Sequence, residues 1–106
     1  MESNYNIIQD EKFKRDLMKI YEYNAYDLEE KKIAIKLINT IIFKLQNLEI
    51  FPFAHKLYKK EENFEYRKLI VKNYIIIYKI NLKEKNIFIL RIYNQKFNYN
   101  KKSIIL

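Results

Sequence analysis

The chain contains no glycine. Every reversal of direction must be made by residues that carry a Cβ, for which a left-handed backbone costs roughly 1–2 kcal/mol. Asparagine is the best available substitute at such positions, so turns are to be sought at Asn and at charged connectors. Proline, the other turn-former, occurs once, at Pro52. The same absence excludes the glycine-rich loops that let a backbone close around phosphates.

Within those limits the elements read in a clear order. Tyr5-Asn6-Ile7-Ile8 is a short β-favouring run. Asp10 is placed to cap a helix whose apolar stripe is Phe13, Leu17, Ile20 and Tyr21. Asn24 is a left-handed stop for that helix. Asp27-Leu28-Glu29-Glu30 reads as a capping box for a second helix, with Asp27 at the N-cap and Glu30 three residues on. Its stripe is Ala34, Leu37, Ile38, Ile41, Ile42, Leu45 and Leu48, ending before Pro52. So short a connection implies an antiparallel helical hairpin. Residues 51–63, with Pro52 and the single histidine, His55, read as a loop. Three strands follow: Phe64–Val71, Tyr74 to about Leu82, and Ile87 to about Tyr93. Lys72-Asn73 serves as a two-residue turn with Asn tolerating positive φ, and Lys83-Glu84-Lys85-Asn86 as a second hairpin loop.

The expected class is α+β: an N-terminal strand, an antiparallel helical hairpin, then a three-stranded antiparallel meander, with both helices packed on one face of the sheet. At 106 residues this is one domain, spanning 1–106. Strand alternation assigns Phe88, Leu90 and Ile92 to the helices, and Ile87, Ile89, Arg91 and Tyr93 to the open face. For Phe64–Val71 neither alternating set is purely apolar, so its faces are not assigned.

Charge comes next. The net charge is +8, which favours an anionic partner, nucleic acid or an acidic protein. Lysine, isoleucine, asparagine and tyrosine are all abundant, as in chains from A+T-rich coding sequences, so part of that charge reflects codon bias. Arginine is then informative. Only Arg15, Arg67 and Arg91 occur among 21 basic residues. A planar guanidinium forks onto phosphate or carboxylate as an ammonium cannot; a salt bridge steadying the sheet is the plainer use of the same geometry. An open face with Arg91 and tyrosines can bind RNA phosphate and bases, receive a partner segment, or simply be solvated.

Catalytic chemistry is narrowly bounded. His55 stands alone, without a cysteine or a paired serine nucleophile. The chain has no cysteine, hence no thiolate zinc site, and no ligand cluster with metal spacing; no cofactor is expected. A metal-independent ribonuclease, using basic groups and tyrosine for acid–base work and phosphate stabilisation, is the one catalytic scheme these residues can meet. No apolar run approaches the roughly 20 residues of a membrane helix, and the charged N-terminus does not resemble a secretory leader, so a cytoplasmic protein is expected.

The run YRKLIVKNYIIIYKINLKEKNIFILRIYNQKFNY, Tyr66 to Tyr99, resembles the C-terminal sheet of RelE/ParE-superfamily toxins of type II toxin–antitoxin systems. DEKFKRDLMKIYEYNAYDLEEKKIAIKLINTIIFKLQNLEIFP resembles the family's helical hairpin and the proline-containing loop after it. The resemblance implies a β-α-α-β-β-β fold and a growth-inhibiting toxin held by an acidic antitoxin. RelE-like members are ribosome-dependent mRNA endonucleases with basic residues on the central strands and a C-terminal tyrosine or histidine; ParE-like members inhibit DNA gyrase and lack those groups. Arg67, Arg91, Lys96 and Tyr99 fall at or near family positions that are often basic or aromatic, and would be the catalytic set of a nuclease. The position after Tyr74, arginine in RelE, is Ile75, and no histidine follows the last strand. The hairpin is also long, as in ParE. The resemblance therefore leans toward ParE-like action on gyrase over RelE-like cleavage of mRNA on the ribosome. A non-toxic nucleic-acid-binding or adaptor domain, or a decayed toxin that keeps the fold, is the alternative.

Overall fold

The computed structural model describes residues 5–96. The elements are β1 (Asn6–Gln9), α1 (Glu11–Glu22), α2 (Lys31–Gln46), β2 (Lys56–Glu61), β3 (Phe64–Val71), β4 (Tyr74–Asn81) and β5 (Asn86–Asn94). They build one sheet in the order β1-β5-β4-β3-β2. β1 runs parallel to β5; every other neighbouring pair is antiparallel. The three-stranded meander β3-β4-β5 stands as expected. A further strand, β2, extends it in a segment that reads as loop from sequence. Three of the six residues of β2 are lysine and it lies at an edge, with five of its six residues exposed, so no buried face marks it in the pattern.

Asp10 caps α1 as its position implies, accepting the Lys12 N–H at 2.8 Å. The link between the helices departs from expectation. Tyr23–Asp27 continues α1 as a π-helical turn, in which the Leu28 N–H reaches the Tyr23 carbonyl at 3.0 Å. Asn24 tightens it by donating from Nδ2 to the Ile20 carbonyl at 2.8 Å. The chain then reverses through Glu29 at φ 53°, and Glu30 occupies the N-cap of α2 without a side-chain cap. The capping box does not form, because Asp27 is still inside the preceding turn. The sheet turns also use lysine, not asparagine, for positive φ: Lys72 has φ 54° and Lys85 φ 57°. Asn81 supports the second turn differently, its side-chain oxygen accepting the Lys83 and Glu84 N–H groups.

Both helices lie on one sheet face. Phe13 of α1 and Leu37, Ile41 and Leu45 of α2 pack on Leu69, Val71, Ile76, Tyr78, Ile80, Ile87, Ile89 and Ile92. Ile87 and Ile89 are thus core residues, not open-face ones, while Phe88 lies on the outer face opposite Lys79. The reason is an extra residue in β5. Tyr78 pairs with Ile89, but Ile77 pairs with Arg91, leaving Leu90 in a bulge. Before the bulge the odd-numbered residues face the helices; after it the even-numbered ones do. Arg91 and Tyr93 therefore keep the outer position that alternation assigns them, and Ile92 still faces the core.

Candidate functional site on the outer sheet face

The face turned away from the helices is cationic and aromatic. Register places Tyr66, Lys68 and Ile70 of β3 there, beside Ile75, Ile77 and Lys79 of β4 and Phe88, Arg91 and Tyr93 of β5. β2 adds Tyr58 and Lys59 through a bulge at Tyr58. The Lys79 ammonium lies 4.8 Å from the Phe64 ring centroid, 5.5 Å from that of Phe88 and 5.9 Å from that of Tyr66. Lys59 sits 5.1 Å from Tyr66, and Lys68 5.1 Å from Tyr58. The Tyr58 and Tyr66 rings meet edge to face at 6.2 Å. Lys59 also pairs with Glu61 at 3.2 Å, and the ring contacts help hold these cations in place.

The Tyr58 and Tyr93 phenols are held in their neutral, donating form. Burial, reinforced by neighbouring Tyr66 and Tyr93, pushes the Tyr58 hydroxyl up to about 12. Burial also raises Tyr93, against the opposing pull of Arg91. Cations with neutral phenols and stacking rings suit an anionic, extended ligand: a phosphate backbone with bases, or an acidic peptide.

The two sheet arginines do not meet. Arg91 is on the outer face, 5.1 Å from the Tyr93 ring. Its guanidinium is gripped by Asp16 of α1 through Nε at 2.7 Å and a terminal nitrogen at 3.0 Å. The same carboxylate accepts the Ile92 N–H at 3.1 Å. Asp16 therefore ties helix, side chain and strand edge together, and this pair is the main cause that raises the Arg91 pKa. Arg67 lies on the opposite face, paired with Tyr78. It donates to Glu65 at 3.0 and 2.7 Å, to the Phe53 carbonyl at 3.2 Å and to the His55 carbonyl at 2.6 Å. Tyr78 adds a bond from its hydroxyl to the Pro52 carbonyl at 2.8 Å. Arg67, Glu65 and Tyr78 thus pin the loop between α2 and β2.

Lys96 is exposed just beyond β5, where its backbone N–H caps the Asn94 side chain at 2.8 Å. Tyr99 lies outside the described residues. Of the sequence candidates among the described residues, Arg91 alone belongs to the outer cluster. Tyr58, Tyr66, Lys68 and Lys79 were not singled out from sequence. The signal for the β3 residues was present, since Tyr66, Lys68 and Ile70 share one parity; what hid it was that the opposite parity holds Glu65 and Arg67, charged residues buried as a pair.

A family model described as the ParE toxin of type II toxin–antitoxin systems, parDE, matches residues 7–99. No curated protein sequence matches the chain. Among solved structures, the chain is similar to one from the archaeal RelE–RelB complex of Pyrococcus horikoshii OT3, at 14% identity and TM-score 0.69, covering 89% of this chain and 98% of that one. It is similar to a chain of the chromosomal ParDE system of P. aeruginosa at 20% identity and TM-score 0.67, with coverage of 85% and 95%. A chain of the toxin–antitoxin complex RelBE2 from Mycobacterium tuberculosis matches at 18% identity and TM-score 0.56, with coverage of 86% and 98%. At these identities the structures establish a shared α+β fold, and the family match over most of the chain establishes kinship: this protein belongs to the ParE toxin family of type II toxin–antitoxin systems.

Proposed function

We propose that this chain is a toxin that arrests growth by a ParE-like action on DNA gyrase, and that an acidic antitoxin encoded beside it neutralises it in the cytoplasm. The observation that carries the choice of target is the commitment of both sheet arginines. Arg67 spends its donors on Glu65 and on a loop backbone, and Arg91 is held by Asp16. They also lie on opposite faces of the sheet. A nuclease needs cations convergent on one phosphate, free to bind the charge that develops in the transition state. Ile75 at the position where RelE-like members carry arginine, and the lack of a histidine after β5, point the same way. The antitoxin rests on the company that the related structures keep, a RelB or ParD partner, and on a net charge of +8 that carboxylates complement.

The test is induced expression with separate readouts of DNA replication and mRNA integrity, followed by supercoiling assays with purified gyrase. Growth should slow, recover on coexpression of the neighbouring gene, and supercoiling should fall with mRNA intact. Ribosome-dependent cleavage abolished by Tyr99→Phe would select the nuclease reading, in which Arg67, Arg91, Lys96 and Tyr99 do the chemistry; loss of an acid–base group there costs about 10²–10⁴ in rate. Normal growth at verified soluble expression would select a non-toxic binding or adaptor domain.

A further inference from the structure

α2 carries more apolar surface than the sheet can cover. Ala34, Leu37, Ile41 and Leu45 are buried, and the last three pack on the sheet. Beside that stripe runs a second one, Ile35, Ile38 and Ile42, at spacings of three and four that keep it on one adjoining face. Ile35 is 50% exposed, and Ile38 and Ile42 are half-buried. Ile35 and Ile38 line a groove of about 330 Å³ between the helices, together with Leu17, Met18 and Tyr21 of α1. Met18 is 57% exposed. Lys14 and Asn39 are the polar members of the groove. A single exposed apolar side chain is ordinary on a protein surface; an apolar groove running along two helices marks a contact surface.

The charges around the groove are mixed, and they are ordered along it. At the end where the helices join stand Glu22, Asp27, Glu29 and Glu30, with Lys31 and Lys32. At the far end, by the start of α1 and the finish of α2, stand Lys12, Lys14, Arg15 and Lys44, with Asp10, Glu11 and Glu49. One end is net acidic and the other net basic. Lys14 lies four residues before Met18 and Glu22 four residues after it, so the three share one face of α1. Lys14 already reaches Glu11 at 3.4 Å, but both side chains are exposed, at 52% and 75%, and an ammonium has three donors. Asp16, the remaining carboxylate of α1, is committed to Arg91.

We propose that the groove receives a second copy of this chain, the two hairpins packing antiparallel about a two-fold axis at Met18. Such an interface is self-complementary. Met18 meets Met18, and a thioether on three rotatable bonds adapts to that contact. Lys14 of each copy meets Glu22 of the other, and the net-acidic end of each hairpin lies on the net-basic end of its neighbour. The same axis crosses α2 between Leu37 and Ile38. Lys36 then falls opposite Asn39, and Lys32 opposite Phe43, itself 60% exposed, so the α2 lysines do not oppose each other. Charge selects this occupant and this direction. A parallel pairing would set the two acidic ends together. An acidic segment of another protein would gain at Lys14 and lose at Glu11 and Glu22. Two helix faces form an interface at the small end for specific association, so the dimer is weak and concentration-dependent. The association is independent of the target on which the chain acts.

Sedimentation equilibrium of the full chain, from micromolar to near-millimolar concentration, reads the association directly, and a monomer–dimer equilibrium is expected. Met18→Lys and Glu22→Lys should each weaken it about tenfold with unchanged circular dichroism. Lys14→Glu and Glu22→Lys in one chain should restore most of what Glu22→Lys alone loses, because the exchanged charges meet again across the axis. The chain has no cysteine, so Met18→Cys supplies a single thiol that mild oxidation should link into a disulfide dimer. Ile70→Cys, at a comparably exposed position (52%) on the outer sheet face, should link far more slowly. A monomer throughout, a dimer indifferent to Met18→Lys, a charge exchange that restores nothing, or equal linking through Ile70→Cys would each overturn the proposal. Growth and supercoiling do not enter these readouts, so the toxin reading stands or falls separately.

Discussion

An arginine in the middle of a hydrophobic strand, in a chain that otherwise uses lysine, has its explanation in Asp16. One carboxylate satisfies two guanidinium donors and a strand-edge amide that would otherwise face solvent unpaired. The pair is mostly shielded, with side-chain exposures of 25% for Arg91 and 17% for Asp16. Asp16→Ala should therefore lower stability by about 2 kcal/mol in urea unfolding, since it strands a partly buried charge and frees an amide. Asp16→Asn should cost less, because an amide oxygen can still accept from Ile92. A cost no larger than that of Lys12→Ala would remove this role. Arg67 is more deeply set, and Arg67→Ala should cost about 3 kcal/mol by leaving the buried Glu65 with only the longer Lys60 contact at 3.8 Å. His55 gives a pH signature. Burial chiefly, then Lys44 and Arg67, lowers its pKa below 6.5. A depressed histidine favours the fold in its neutral form, so its contribution is full above pH 6.5 and is lost as pH falls through the lower folded value. Between pH 7 and pH 5 the native protein should lose more stability than His55→Gln; identical losses would assign the acid sensitivity to other groups.

Among the elements, turns are where a chain without glycine is under strain. Glu29 and Lys72 both hold left-handed backbones. Relieving such a position is worth roughly 1–2 kcal/mol, offset by about 0.5–1 kcal/mol for the freer unfolded chain. Glu29→Gly and Lys72→Gly should each raise stability by about 0.5–1 kcal/mol, seen as an increase in Tm. Asn73→Gly, at a neighbouring residue without positive φ, should give no gain. Equal behaviour at Lys72 and Asn73 would mean that the backbone angle is not the source. The bulge in β5 is a second element-scale device. By switching face parity at Leu90, it allows Ile87, Ile89 and Ile92 all to reach the core while Arg91 stays outside.

For the whole molecule, the sheet order sets a gradient of protection. β4 has a neighbouring strand on each side, and Ile76, Ile77, Tyr78 and Ile80 within it are fully buried. β2 has one neighbour and little cover. Amide exchange should be slowest in β4, where only global unfolding exposes the ladder, and fastest among the long strands in β2, which opens locally. Uniform protection from β2 to β5 would contradict that order. The same gradient leaves the β2 edge unpaired among the described residues, while the β5 edge is closed by β1 and Asp16.

The strand, hairpin and meander succession is legible along the chain, because apolar periodicity is local and each helix or strand announces its own stripe. The sequence also marked Asp10 as a cap and Arg67 and Arg91 as residues with a geometric task. What the tertiary structure decided were the matters that depend on two segments at once. β2 has no buried face of its own and exists because β3 offers it a ladder. The face parity of β5 depends on one extra residue against β4, which no alternation within β5 can reveal. The π-helical turn displaced the capping box because α2 had to start where it could pack beside α1. The carboxylate that Arg91 meets is Asp16, 75 residues away in sequence, and the one that Arg67 meets is Glu65, two residues away on the same strand face. A side chain's chemistry is written in its identity, but its partner is chosen by which distant segment the core brings alongside.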